Sequence, residues 1–301
     1  LKFTDQNAED SPAGMWEQKF ADLVKEYTKG HIEVELYFNN TLCGYDIQPL
    51  QAGICDFIQY VPSSAGDLDS RLGAFDAPYI YRDADHRLAV FDPFNSEPLK
   101  VINEALKDDG VMLLSSFNSG YRQITCNFPI RNLSDMKGAK IRVVPSDLYQ
   151  QLFTAFGAAA TPMAFSEVPT APITNVIDGQ ENPYSVIVSS ALYEVQKYCM
   201  ETNHLPTNHG LWMNRNTYES LTPEQQEAVL KAAYDASAYM DKYILDKVEE
   251  YKKICEDNGM EIIDAENGLD IDGFKAAAEN VYDYFAEDWG DMPDLIRAVQ
   301  P

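Results

Sequence analysis

L-K-F-T-D-Q-N-A-E-D-S-P-A-G-M-W-E-Q-K-F-A-D-L-V-K-E-Y-T-K-G-H-I-E-V-E-L-Y-F, residues 1–38, decides the fold. Its first four residues read as a strand. Ser11-Pro12 then offers an N-cap followed by proline at the first helical position. Met15, Trp16, Phe20, Leu23, Val24 and Tyr27 recur at three and four residues, which is one face of a helix. Gly30 closes that helix before a strand pattern over 31–38. Strand, crossover helix and strand together predict parallel pairing and an α/β fold.

Downstream the alternation continues. The pattern predicts a helix over 45–52 weakened by Pro49, a strand over 55–61, an aromatic loop over 72–81, a helix over 83–106 and a strand over 111–117. Strand character returns at 121–128 and 140–144, with helices expected over 146–156 and 165–175. Residues 186–203 mix both periods, and Trp212-Met213 reads as a pair of strand residues. Thr222-Pro223 starts a helix that runs to 255, about 45–50 Å long at about 1.5 Å per residue, enough to link two domains. A strand over 261–264 and a helix over 272–288 complete the chain.

The 301 residues suffice for two domains, and 45% hydrophobic content excludes a disordered chain. With 23 basic against 48 acidic side chains, the formal charge of −25 argues against nucleic acid as a partner. No run of eighteen apolar residues appears, so neither a membrane span nor a signal segment is expected within these residues. Cys43, Cys55, Cys126, Cys199 and Cys255 lack ligand spacing and are expected as free, mostly buried thiols.

Two arginines stand in apolar strand patterns, Arg122 and Arg142. Each reads either as a solvated edge residue, as a cation neutralised internally, or as a fork for a carboxylate. Asp178-Gly179-Gln180-Glu181-Asn182-Pro183 reads as a turn, or as an irregular segment presenting the Asn182 amide at a strand end. Phe165 is core, or packs on the apolar face of a ligand. The four histidines form no metal motif, and no phosphate loop or nucleophile elbow is present, so no cofactor, metal or catalytic residue is expected. Asp241 reads as part of a solvated helix face.

The runs G-Y-R-Q-I-T-C-N (120–127), L-S-D-M-K-G-A-K-I-R-V (133–143), A-T-P-M-A-F-S-E-V (160–168) and V-I-D-G-Q-E-N-P (176–183), in this order, strongly resemble the extracytoplasmic solute receptors of tripartite ATP-independent periplasmic (TRAP) transporters. The resemblance implies a non-enzymatic, periplasmic or extracytoplasmic monomer with a two-domain periplasmic-binding-protein-like fold, a ligand cleft between the domains and a long helix across both. The corresponding boundaries are 1–119 plus 208–247 for the first domain and 120–207 plus 248–301 for the second. It further implies a carboxylate-binding Arg142, a second cleft arginine at Arg122, Asn182 and Phe165 in the cleft, and a TRAP membrane permease as partner.

Asn7, Glu9, Asp10, Asn118, Asn208 and His209 add donors and acceptors that suit a hydroxylated acid, a hexuronate or aldonate. A C4-dicarboxylate or 2-oxo acid is the alternative, with Arg122 taking its second group. An α/β enzyme acting on a carboxylic acid and a sensor module are the readings from other classes. Val61 and Ser64 stand where sialic-acid receptors carry an acidic residue and an arginine, which disfavours that ligand. Pro169 and Pro172 depart from the family's usual helix before the 176–183 block.

Overall fold

The computed structural model describes residues 1–168, Pro172 and 176–301. Pro169 and the end of the helix expected over 165–175 lie outside the described residues. What precedes them is one 3-10 turn, Phe165–Glu167.

In chain order the strands are β1 (Lys2–Thr4), β2 (Glu35–Tyr37), β3 (Phe57–Tyr60), β4 (Val111–Asn118), β5 (Arg122–Cys126), β6 (Lys140–Val143), β7 (Ala159–Pro162), β8 (Gly179–Pro183), β9 (Tyr198–Met200), β10 (Asn208–Asn214) and β11 (Glu261–Ile263). They form two sheets, in the orders β2-β1-β3-β10-β4 and β11-β9-β5-β8-β6-β7. The opening unit is as its sequence predicts: β1 pairs in parallel with β2 and with β3. Between β1 and β2, helix Pro12–Tyr27 is capped by the Ser11 hydroxyl, which accepts from Gly14 N at 3.1 Å. Gly14 is obligatory, because a Cβ there would lie 2.5 Å from the carbonyl oxygens of Ala8 and Glu9. The helix buries Trp16, Phe20, Leu23 and Val24 against Phe3, Phe57 and Phe117.

Several expectations are revised. The helix predicted over 83–106 is two helices, Ala84–Val90 and Glu97–Ala105, because Pro93 interrupts the chain and Ser96 caps the second, accepting from Leu99 N at 3.2 Å. The helix over 45–52 contracts to Gln48–Gln51, and the strand over 31–38 to β2. Trp212 and Met213 belong to a seven-residue strand, antiparallel to both β3 and β4. Most consequential, the D-G-Q-E-N-P block is neither turn nor irregular: Gly179–Pro183 is β8, inside the second sheet between β5 and β6. Gly179 is there for proximity, since a Cβ would stand 2.3 Å from the Thr125 carbonyl oxygen.

The long helix Pro223–Asp257 has 35 residues and begins with a capping box, Thr222 with Gln225. Its first half packs Val229, Ala232, Ala233, Ala236 and Met240 into the core of the first sheet. Its last turns place Cys255 beside Tyr184, Ile187 and Cys199 of the second. Asp241, expected on a solvated face, is buried and accepts from Arg87 Nη1 at 2.8 Å and from Asn118 N at 2.7 Å. Arg87, itself 1% exposed, also donates to Asn208 Oδ1 at 2.8 Å and Ser116 Oγ at 2.9 Å. That network ties helix, first sheet and both crossover ends together.

The chain's last helices pack on elements of both sheets. Helix Ile271–Tyr284 packs on helix Asp147–Ala155 of the second sheet, but Met292–Ala298 packs on Glu97–Ala105. Arg82 donates to the Arg297 and Val299 carbonyls at 2.7 and 2.8 Å, and His86 Nε2 meets the Ile296 carbonyl at 2.9 Å. All five cysteines are free, and all but Cys43 are buried. Among the described residues no helix is long and apolar enough to cross a membrane.

Removing Arg87 leaves Asp241 buried without its cation, so Arg87→Ala should lower unfolding stability by about 3–5 kcal/mol in urea titrations. Thr222→Ala, which removes only the helix cap, should cost about 1 kcal/mol. Equal midpoints for the two variants would show that the buried network contributes nothing beyond surface packing.

Candidate functional site

β6, β7 and β8 run parallel and β5 antiparallel, so the carboxyl ends of the first three and the start of β5 share one edge of the second sheet. Open α/β sheets place ligands at that edge. Arg142, Phe165, Arg122, Glu181 and Asn182 all lie there. The matching edge of the first sheet carries the ends of β1, β3 and β4 and the start of β10, with Asn7, Asn118, Asn208 and His209.

Arg142 is 3% exposed. Its Nε donates to the Met163 carbonyl at 2.9 Å, and its Cζ sits 5.7 Å from the centre of the Phe165 ring, which is itself partly open to solvent. Among the described residues no carboxylate comes within ion-pair distance of it. Burial pulls its pKa below the usual guanidinium value, nearby Glu181 acting against the shift and Arg122 with it. A buried cation without a counter-charge is costly, and an incoming anion relieves that cost.

Arg122 is different. Its Nε and Nη2 grip the Glu181 carboxylate, Nη2–Oε1 at 2.9 Å, and Nη2 also donates to the Glu181 carbonyl at 2.9 Å and to Asn182 Oδ1 at 3.0 Å. Tyr149 covers the guanidinium at 5.3 Å. Although burial opposes it, the Glu181 charge holds the Arg122 pKa up. Burial likewise opposes the ionised Glu181, yet Arg122 and then His204 hold its carboxyl below the usual range. His204 Nε2 lies 3.4 Å from Glu181 Oε2, with Thr202 on its Nδ1 at 2.8 Å; burial pushes the imidazole pKa down. Asn182 is committed at both ends, to Arg122 and to Gln180 Oε1.

The first-sheet residues divide. Asn7 is half-buried and donates to Asp5 Oδ1 and Oδ2 at 3.1 and 3.0 Å. His209 stacks on Phe117 at 4.6 Å and shares a 3.0 Å bond with Ser119 Oγ; burial pushes its pKa down to about 4. Asn118 Oδ1 accepts from Gly120 and Thr207 N at 3.1 and 2.9 Å, and Asn208 is spent on Arg87, Asp76 and the Phe75 carbonyl. Those two hold the crossovers, and Glu9 and Asp10 stand exposed on the surface. Glu181, His204 and Arg87 had no assigned role in the sequence. Glu181 and His204 stand among polar neighbours, in D-G-Q-E-N-P and E-T-N-H-L-P, and Arg87 in a mixed helix pattern, so nothing local marks them.

Known proteins match the chain along nearly its whole length. The profile of bacterial extracellular solute-binding protein family 7 matches residues 3–288. The 2,3-diketo-L-gulonate-binding periplasmic protein of Escherichia coli is 29% identical over 99% of this chain and 90% of its own. A C4-dicarboxylate-binding periplasmic protein of Shewanella loihica is 32% identical over 86% of this chain and 76% of its own. Among solved structures, a TRAP periplasmic solute-binding protein of Rhodobacter sphaeroides in an open apo state superposes with TM-score 0.91 at 28% identity, covering 100% of this chain and 99% of that one. One from Xanthobacter autotrophicus with bound β-D-galacturonate gives 0.82 at 29%, covering 100% of both chains.

Glu181→Gln removes the charge that Arg122 depends on. Because the folded-state pKa of Glu181 is lowered, its stabilisation is present above the ordinary glutamate value, near 4.3, and is lost as pH falls through the lowered one. The variant should therefore be about 3–5 kcal/mol less stable at neutral pH, with the gap narrowing below about pH 4. Denaturant titration at both pH values checks the sign, and a gap that widens in acid contradicts the pairing.

Proposed function

This chain belongs to bacterial extracellular solute-binding protein family 7, the receptors of TRAP transporters, and from that premise we propose that it captures a hydroxylated monocarboxylic acid, a hexuronate or aldonate, between its two sheets. One observation carries the reading: at the cleft edge the charge of Arg122 is met by Glu181, whereas Arg142 has no carboxylate partner among the described residues. One guanidinium fork takes one carboxylate, and Phe165 covers the ligand's apolar side. The opposite edge offers Asn7, Asp5 and a neutral His209, groups that suit hydroxyls and repel a second carboxylate. The galacturonate in the Xanthobacter neighbour supports the same class.

The dicarboxylate-binding relatives favour the alternative. A C4-dicarboxylate or 2-oxo acid would have to draw Arg122 away from Glu181, at a cost on the order of 3–5 kcal/mol. Turnover is not assigned. Ser119 and His209 form a hydroxyl–imidazole pair, but the imidazole Nδ1 has no partner among the described residues and its lowered pKa makes it a weak base.

Receptor action follows from the two walls. The lobes we assign are 1–119 with 208–247, and 120–207 with 248–285, the last helices returning to the first. The closer superposition on the open apo neighbour than on the galacturonate-bound one supports an open state here. A ligand held by Arg142 on one wall and Asn7 on the other stabilises the closed state more than the open one, which drives the hinge. The closed monomer, in the extracytoplasmic space, then delivers its ligand to a TRAP membrane permease.

Thermal-shift titration with D-galacturonate, L-galactonate, succinate and pyruvate tests the class; a ligand at 100 times its dissociation constant adds about 2.7 kcal/mol. Sugar acids should give the largest shifts and be recovered unchanged. Arg142→Ala and Arg142→Lys should lose about 2–5 kcal/mol of affinity for the best of them. Succinate binding more tightly than any sugar acid would overturn the monocarboxylate assignment.

A further inference from the structure

Helix Pro12–Tyr27 turns an apolar stripe to the first sheet, and one carboxylic acid interrupts it. Glu17, beside Trp16, is 0% exposed, and neither of its carboxyl oxygens meets an N–H or O–H donor among the described residues. Its acidic neighbour is Asp5, 2% exposed, directly after β1, whose charge acts on it. The Asp5 charge also reaches His209 of β10, its Nδ1 unpaired, and the phenol of Tyr45, whose pKa burial pushes up. The Arg87 guanidinium of helix Ala84–Val90, which acts on His209, is committed to Asp241 of the long helix. No cation forms an ion pair with either carboxyl among the described residues. Two carboxylates in contact, out of water and without a cation, cannot both be charged, so the pair holds one proton.

We propose that Asp5 and Glu17, sharing that proton, are positioning residues of the first wall: the pair orients Asn7 toward the ligand and ties affinity for an acid to pH. Burial raises the Glu17 pKa well above the ordinary range and the Asp5 charge raises it further, which makes Glu17 the proton's holder. Neutral Glu17 donates to Asp5, and Asp5 in turn accepts from Asn7 Nδ2, leaving the Asn7 Oδ1 for a ligand hydroxyl. Ionising Glu17 sets a second negative charge behind Asn7, repels Asp5 and opposes the arrival of a carboxylate ligand. An apolar residue would fill the position at less cost, so the acid here has work that packing does not supply. The ligand arm of the proposal rests on the receptor reading; the proton arm does not.

Glu17→Gln keeps the shape and removes the titration, and it separates positioning from packing through its pH profile. A group whose folded pKa is raised stabilises fully below the ordinary glutamate value, near 4.3, and loses that contribution as pH rises through the raised one. Ligand-free wild type should therefore lose stability over that rise, and Glu17→Gln should not. The dissociation constant of D-galacturonate should weaken about tenfold in wild type as pH rises through the raised Glu17 value, the equivalent of one pKa unit, and stay level in the variant. Should the variant fail to fold, difference infrared spectra of wild type at neutral pH decide: a protonated carboxylic acid band supports the pair, and its absence overturns it. A variant that reproduces the wild-type pH profile also overturns it. If galacturonate does not bind wild type at all, the ligand class is wrong while the stability profile and infrared band still judge the carboxyl pair.

Discussion

The buried ion pair of Arg122 and Glu181 is the constraint on which the site depends. An enclosed charge without a match is costly, and here the match is made across two neighbouring strands, β5 and β8, with His204 and Asn182 completing it. By consuming one arginine internally, the pair leaves Arg142 as the guanidinium at this edge without a carboxylate partner among the described residues. It also anchors the D-G-Q-E-N-P block as a central strand, with Gly179 close under Thr125 and Asn182 held from both ends. Under the proposed function, selectivity for an anion in a chain of net charge −25 comes from where one counter-charge is missing.

The second structural dependence lies behind the cleft. The long helix joins the core of one sheet to that of the other, and Arg87, Asp241, Asn118 and Asn208 bind it to the crossovers just where the chain passes between sheets. Asn118 and Asn208 therefore serve the frame, although their sequence positions suggested the ligand. A hinge works only if its axis is stiff relative to the lobes it carries, and a buried, fully paired cluster is one way to obtain that.

Local causes were legible in the sequence and distant ones were not. The Ser11-Pro12 cap, the Trp16 to Val24 stripe and the Thr222 capping box act within a few residues, so the first βαβ unit and the long helix could be read directly. Asp178-Gly179 and Asn182-Pro183 carry turn chemistry, yet tertiary pairing with β5 and β6 overrode it. Arg122 and Arg142 look alike in their strands. What separates them is Glu181, 59 residues from the first and available to it alone as an ion-pair partner. Glu17 and Arg87 were invisible for the same reason: a charged residue in a helix takes its meaning from a neighbour on another element.

The return of the C-terminal helices to the first sheet has a practical consequence for the topology. Leu1 is tied to Glu33 beside β2, and residues 297–299 are tied to Arg82, so residue 1 and residues 297–299 sit on the same one of the two proposed lobes. The other lobe is assembled from interior segments and cannot be released by a single cut. Labels at residues 1 and 298 would ride together through the proposed closure and register almost nothing. A distance probe sensitive to closure needs one of its two labels on an interior segment, such as helix Asp147–Ala155.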